Sequence, residues 1–443
     1  MLRRMERQRM PAIVVHRGLA EIRRFRWLVL GLLALALLLA IAVSLSDALA
    51  FPGFDLRPKV VGARALLLGL DPYLPETLRW TAATPPALTD TETVFYADTG
   101  LARVTYPPSL LLLYMPFATL PYDVQRLVWW ALEWTALLTS IGVLCAATPR
   151  RFRLAFLIAA IGAFACSYFW RWHAERGQYY VFLVLLLSLD LFALRSGLLR
   201  QRSWLGAPTG VAITFRPTFA VLVPLLWFMG ERRAAVTAVL AAAMVMAASL
   251  PFAGVQEWQH YFDNVATMAR QVAEPVFSVR LPPPEGASYF VEGYDFYPTR
   301  ELVALSRNLT FSGLLHRPWA LPLSGTVAML VSFGVVAAML WLRTARGPRE
   351  LSLLLFATTP VLLDYTVPVR WSYVDVVFLP VLAVVIPAVL QYGGVWTLGS
   401  VAAALLASFY GMEGLTVGLL RQLFFLLAVA LSAVALWRSA PSS

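Results

Sequence analysis

Residues 27–43, WLVLGLLALALLLAIAV, decide the class of this chain: they form an apolar run without a single charge, about as long as a bilayer crossing requires. The stretch before it, MLRRMERQRMPAIVVHRGLAEIRRFR (1–26), is rich in cations and reads as a cytoplasmic N-terminus. No small-residue cleavage site follows the run, so it is expected to be a retained span rather than a signal peptide. Similar runs recur to the C-terminus. With 59% hydrophobic and 14% charged residues and a mean hydropathy of +0.69, the predicted fold is all-α and polytopic, with about 12 transmembrane helices in one integral domain, 1–443. Strand alternation is absent, which argues against an outer-membrane barrel. The net charge of +11 sits mostly in short runs between spans, where it signals orientation rather than nucleic-acid binding.

Beyond the first span lies a predicted outer loop, 47–123, opening with FPGFDLRPKVVGARALLLGLDPY (51–73). Arg57, Lys59 and Arg64 recur at helical spacing, and Val60, Val61, Ala65, Leu66, Leu67 and Leu68 supply an apolar side for lying on the bilayer. Asp55 stands among these cations. Two readings of it are open here: a general base flanked by cations that steady a leaving phosphate, or a solvated loop acid. The following YPPSLLLLYMPFATLPY (106–122) has too short an apolar part to cross and is expected to be re-entrant or superficial.

That placement sends the basic clusters TPRRFR, RSGLLRQR, GERR and RTARGPRE inward if the spans are Val124–Ala147, Leu154–Trp170, Tyr180–Leu194, a broken pair in Gly206–Met229, and Ala234–Phe252. The pair breaks at Phe215-Arg216-Pro217, because proline cannot continue the first helix. RWHAERGQ (171–178) then lies outside, as does a second long loop, 253–321. Ser324–Leu342, Leu351–Thr366, Tyr373–Leu390, Val395–Tyr410 and Leu415–Trp437 complete the crossings, leaving both termini cytoplasmic.

Under this topology Asp55, Arg64, Tyr106, Glu175, Arg176, Gln178, Arg307, Asn308, Arg370, Tyr373 and Asp375 all gather at the outer side. Arg216, Asp364 and Asp375 lie within or beside apolar segments and call for a partner or a cavity. Glu133 and Asp190 read as structural pairs or interfacial residues in preference to functional ones. Cys145, Cys166 and the scattered histidines show no disulfide or zinc spacing, and no Walker or Rossmann pattern occurs.

The order of a first-loop acid, GLDPY, YPPSLLLLYMPFATLP, RGQYYVFLVLLL, GVAITFRPTFAVLVPLL, NLTFSGLLHR and VPVRWSYVDVVFLP resembles bacterial glycosyltransferase family 87, the polyprenyl-phosphate-mannose-dependent mannosyltransferases of the GT-C membrane superfamily. The resemblance runs from about Phe51 to Leu390. It implies a GT-C-like bundle, with Asp55 as the catalytic aspartate and Gly177-Gln178 as the glycine-glutamine motif. Tyr180 stands where asparagine is usual, and Arg216-Pro217 where the family has lysine-proline. Asn308 with Ser312-Gly313 matches the asparagine motif. Pro368 and Trp371 match the late motif, in which Tyr373 replaces a histidine, a departure that bears on which sugar or acceptor is used.

The implied activity is an inverting transfer of mannose or a related sugar from a polyprenyl-phosphate donor to a lipid or glycan acceptor, on the extracytoplasmic face of the cytoplasmic membrane. Asp55 would be the base, and Arg216, Arg307 and Arg370 would bind the donor phosphate. Arg64, Asp71, Tyr73, Gln178, Asn308, Trp371 and Tyr373 would contact the substrates. The superfamily allows a divalent metal, but no acid pair calls for one, so no cofactor is expected; membrane lipids are partners and nucleic acid is not. A transporter or flippase of a lipid-linked or anionic substrate would use the same intramembrane charges, and a scaffold would tolerate their replacement. Reporter fusions test the orientation: one after Arg153 should read cytoplasmic and one near Glu285 extracytoplasmic, and the reverse at either site overturns it.

Overall fold

The structure, a computed structural model, describes residues 25–50, 53, 55–74, 104, 106–197, 206–273, 324–345, 347–366, 372–392, 395–409 and 415–439, and among these every regular element is a helix. The first, α1 (Arg26–Ala50), turns Leu28, Leu32, Leu35, Leu38 and Leu39 outward, as a lipid-facing span does. It is tied to the bundle near its C-terminal end. There Ser44 accepts hydrogen bonds from the indoles of Trp130 (3.0 Å) and Trp134 (3.1 Å), and Asp47 pairs with Arg171.

Helix α2 (Arg57–Leu67) differs from the expected surface helix: it is buried nearly all round, with only Leu67 and Leu68 at its end exposed. The interior accepts its cations because carbonyls and rings meet them. Arg64 Nε donates to the Ala118 carbonyl at 3.0 Å, and Arg57 lies 4.7 Å above the ring of Tyr122. The short segment after the first loop does not cross. It forms one turn of helix, α3 (Pro108–Leu111), and a 3-10 turn at Met115–Phe117, its prolines preventing a longer run. Leu110, Leu111 and Tyr114 are buried, so this irregular backbone is covered by protein.

Next come α4 (Tyr122–Ala147), α5 (Arg153–Ala160, continued by a π turn through Ala165), α6 (Tyr168–Arg176) and α7 (Tyr180–Ser196). The crossing expected over Leu154–Trp170 is interrupted. Ser167 caps a new helix by accepting the Trp170 N–H at 3.2 Å, so RWHAER belongs to α6, where Trp170, His173, Ala174 and Glu175 are buried. An angle of 117° separates α6 from α7, turning at Gly177 to Tyr179.

The broken pair is present as expected: α8 (Ala207–Phe215), Arg216 extended at φ −142° and ψ 92°, a 3-10 turn at Pro217–Val221, and α9 (Leu222–Phe228). Helix α10 (Arg232–Ser249) packs on α8 at backbone contact, because Gly206 and Gly210 present no side chain there. An amphipathic helix that the sequence reading left as loop, α11 (Val255–Ala273), follows. It buries Trp258 and Tyr261 against the protein, while Val255 and Phe262 remain outward beside polar Gln256, Gln259 and Asp263. The chain closes with α12 (Ser324–Thr344), α13 (Arg349–Asp364), a 3-10 segment at Ser372–Phe378 leading into α14 (Leu379–Tyr392), α15 (Val395–Phe409) and α16 (Leu415–Arg438). Helix α14 is apolar on all sides and buried from Leu379 to Val389, the position its composition dictates.

Five of the described helices are long and apolar enough to cross a membrane alone, or six with the bent α6–α7 pair. The expected count of about 12 is therefore not met by unbroken helices. Several apolar runs are split by Ser167, Gly177 and Arg216-Pro217 or are shorter than a crossing, and packing inside the bundle tolerates such breaks.

The α8–α10 contact is testable. A Cβ on Gly210 would stand 2.3 Å from the Ala238 carbonyl oxygen and 2.7 Å from Ala241 Cβ, whereas nothing lies within 4 Å of one on Gly142. Gly210→Ala should cost about 1–3 kcal/mol by forcing the helices apart, and Gly142→Ala should be neutral or slightly stabilising. Thermal unfolding in detergent checks both; equal midpoints for the two variants would refute the contact.

Candidate active site

Asp55 sits at the start of α2 and is held by one residue at two points. Its N–H donates to the Arg176 carbonyl at 3.0 Å, and its carboxylate pairs with the Arg176 guanidinium. The Asp55 side chain remains 20% exposed and that of Arg176 16%, so the pair is reachable at the edge of the bundle. The same Arg176 carbonyl also receives the Leu56 N–H at 3.2 Å. This grip depends on Gly177, which ends α6 in the left-handed region at φ +71°; a Cβ there would lie 2.6 Å from Leu56 Cβ. Gly53, at φ +64°, likewise leaves room for Arg126, whose Nε would be 2.9 Å from an added Cβ. Arg126 is buried and donates to the Glu175 carbonyl, so it lies wedged between the turn before Asp55 and the end of α6.

Behind Asp55 a row of rings joins two cations. Lys59 is fully buried; its ammonium donates to the Asp55 carbonyl and lies 4.4 Å from the ring centre of Tyr106. Tyr106 meets Tyr179 edge-on at 5.9 Å, and Tyr179 stacks on Tyr180 at 4.7 Å. Arg216 lies 5.2 Å over Tyr180, donates to its hydroxyl at 2.8 Å, and pairs with Asp364. Burial pushes the Lys59 ammonium down to about 8, with the carboxylates of Asp55 and Glu133 opposing the shift. Burial likewise raises the phenol of Tyr106 well above its ordinary range.

The partner that Arg216 and Asp364 each called for is thus the other, and Asp375 pairs with Arg421 in the same manner. Of the residues expected to contact substrate, Gln178 is buried one step past Gly177, with its N–H on the His173 carbonyl at 3.2 Å. Arg64 is turned to the Ala118 carbonyl. Asp71 accepts the Tyr73 N–H at 2.8 Å and pairs with His260 of α11, while Tyr73 donates its hydroxyl to the Tyr106 carbonyl at 2.8 Å. Asn264 donates to the Tyr73 carbonyl at 3.0 Å, so α11 fastens the end of the α2 segment. Arg307, Asn308, Arg370 and Trp371 lie outside the described residues, as does the Tyr373 side chain. The structure therefore brings Asp55, Lys59, Tyr106, Gln178 and Arg216 into one neighbourhood.

Sequence reasoning missed Arg126 and the α11 contacts. Arg126, Trp129 and Glu133 share the buried face of α4, and Glu133 approaches His173 Nδ1 at 3.4 Å. The available signal for Arg126 was a charge one turn inside an apolar helix; for α11 it was apolar and aromatic residues recurring at helical spacing. Among the described residues no three of His, Cys, Asp or Glu converge to hold a metal.

A sequence model described as Glycosyltransferase family 87 matches residues 105–366, more than half of the chain. The matched region contains Gln178, Arg216, Arg307 and Asn308 and begins after Asp55. No curated protein and no solved structure matches the chain.

Replacing Arg216 with Met removes the cation paired with the buried Asp364 carboxylate, and breaking such a pair typically costs about 3–5 kcal/mol. Arg216→Met should therefore lower the thermal midpoint sharply, and adding Asp364→Asn should recover most of the loss. A single variant as stable as wild type would show that the pair carries no charge compensation.

Proposed function

The chain belongs to glycosyltransferase family 87 and is a membrane glycosyltransferase, and we propose that it transfers a sugar, mannose or a close relative, from a polyprenyl-phosphate donor to a lipid or glycan acceptor, with inversion, on the extracytoplasmic face of the cytoplasmic membrane. The observation that carries the reading is the Asp55 carboxylate, partly exposed yet held at main chain and side chain by Arg176. A base works only if it stays within hydrogen-bond reach of the proton it takes, and two anchor points on one arginine restrain both the position and the direction of this carboxylate.

In the proposed step the acceptor hydroxyl oxygen attacks the anomeric carbon, its proton passes to Asp55, and the bond from that carbon to the phosphate oxygen breaks with its electron pair leaving on the phosphate. Arg216 would stabilise the departing charge from the far end of the tyrosine row, together with Arg307 and Arg370. Asp364 and Tyr180 fix its guanidinium, so the phosphate would share a charge already placed. A lipid-linked donor suits this architecture, since its prenyl chain can lie between helices while the sugar reaches Asp55. Buried counter-ion pairs such as Arg216–Asp364 would also occur in a transporter, but family membership favours transfer.

Asp55→Asn keeps size and hydrogen-bond acceptance while losing the base, so it should fold, bind donor and lose on the order of a hundredfold to ten-thousandfold in turnover. Asp71→Asn should retain most activity. Transfer from labelled decaprenyl-phosphomannose to a membrane-lipid extract measures both, with donor binding followed separately; near-normal turnover by Asp55→Asn overturns the assignment.

A further inference from the structure

Lys59 is a cation that the reaction as written does not use, placed where a cation is costly. It is fully buried, and among the described residues it makes no ion pair within 4.0 Å; its hydrogen bond goes to the Asp55 carbonyl, and the rings of Tyr106 and Tyr179 lie 4.4 and 5.8 Å from the ammonium. A local detail explains why that carbonyl is available. The Lys59 N–H turns to the Leu56 carbonyl at 3.1 Å, so the Asp55 carbonyl is left outside the helical ladder and the Lys59 side chain curls back to it. Asp55 is thereby pinned on three sides: its N–H and carboxylate by Arg176, its carbonyl by Lys59.

We propose that Lys59 is a positioning residue for Asp55, holding the main chain of the base through a charged hydrogen bond, so that turnover requires the ammonium form. This rests on Asp55 being the base. The groups facing Lys59 are Asp55 and Arg176, Glu133 of α4, His173 of α6, and the phenols of Tyr106 and Tyr179. A neutral amine keeps a hydrogen bond but loses the charge-assisted grip and the attraction to both rings, which frees the turn carrying the base. With the ammonium pushed down to about 8 by burial, loss of the proton falls within an accessible pH range.

The stability effect has the opposite sign. The folded value lies below the unfolded value near 10.5, so between about pH 8 and 10.5 the unfolded chain binds more protons, and stability from this group rises with pH. An alkaline loss of turnover without a fall in the thermal midpoint therefore separates positioning from unfolding.

The experiment measures turnover of full-length protein in proteoliposomes from pH 6.5 to 10, with the labelled donor and lipid extract above, for wild type, Lys59→Arg and Lys59→Met. Wild type should lose activity through a limb near pH 8. Lys59→Arg, which stays charged throughout, should keep a reduced rate with that limb absent. Lys59→Met should fall roughly ten- to a hundredfold in kcat, with KM for donor little changed, as a slightly displaced base would. A wild-type rate flat to pH 10, or the same limb in Lys59→Arg, overturns the proposal. If Lys59→Met does not fold, the Arg profile alone decides. Activity in Asp55→Asn would instead sink the base reading, whereas an inactive Asp55→Asn with an unchanged Lys59→Arg limb sinks only this inference.

Discussion

The two-point hold of Arg176 on Asp55 is the constraint around which this structure is arranged. It requires the end of α6 to meet the start of α2 at bonding distance, and that approach is open only because residue 177 has no side chain. Arg126 fills the space beneath, Tyr122 donates to the Gly53 carbonyl at 3.2 Å, and α4 thereby becomes the floor of the site. Helix α6 in turn is anchored to the lipid-facing α1 by Arg171 and Asp47. A carboxylate thus stands at the bundle edge on a rigid support, which is what proton abstraction needs and what a loop acid in water lacks.

Much of the rest follows from placing charge inside an apolar chain. Three solutions recur: carboxylate partners for Arg216 and Arg421, main-chain carbonyls for Arg64 and Arg126, and aromatic faces for Lys59 and Arg57. Each arrangement supplies full or partial negative charge to a cation that water no longer solvates. The cations near Asp55 include Lys59 and Arg126, which are met by carbonyls and rings rather than by carboxylates.

The long apolar runs made the helical class legible, and proline made the break at Arg216-Pro217 legible, because both are local properties of the chain. Gly177-Gln178 and Asp55 were singled out through order and motif, with nothing in the sequence to say that Arg176, the residue before Gly177, holds Asp55. What escaped was non-local. Whether α2 lies on a bilayer or inside the protein depends on Ala118, Tyr122 and Tyr106 meeting its cations, which no spacing within 51–73 reveals. The interrupted α5–α6 segment was misread because Ser167 stands inside an apolar run, where its capping role overrode the hydropathy. Helix α11 was lost to the many polar residues that an amphipathic helix shares with a loop.

The central claim is that sugar transfer occurs between Asp55 and Arg216, and a cryo-EM map of the protein with bound decaprenyl phosphate tests it most directly. The account predicts phosphate density beside the Arg216 guanidinium, with the prenyl chain leaving between helices and open space from the phosphate to the Asp55 carboxylate. Phosphate density instead at the cluster of Arg195, Glu350 and Arg349, with none beside Arg216, would contradict it.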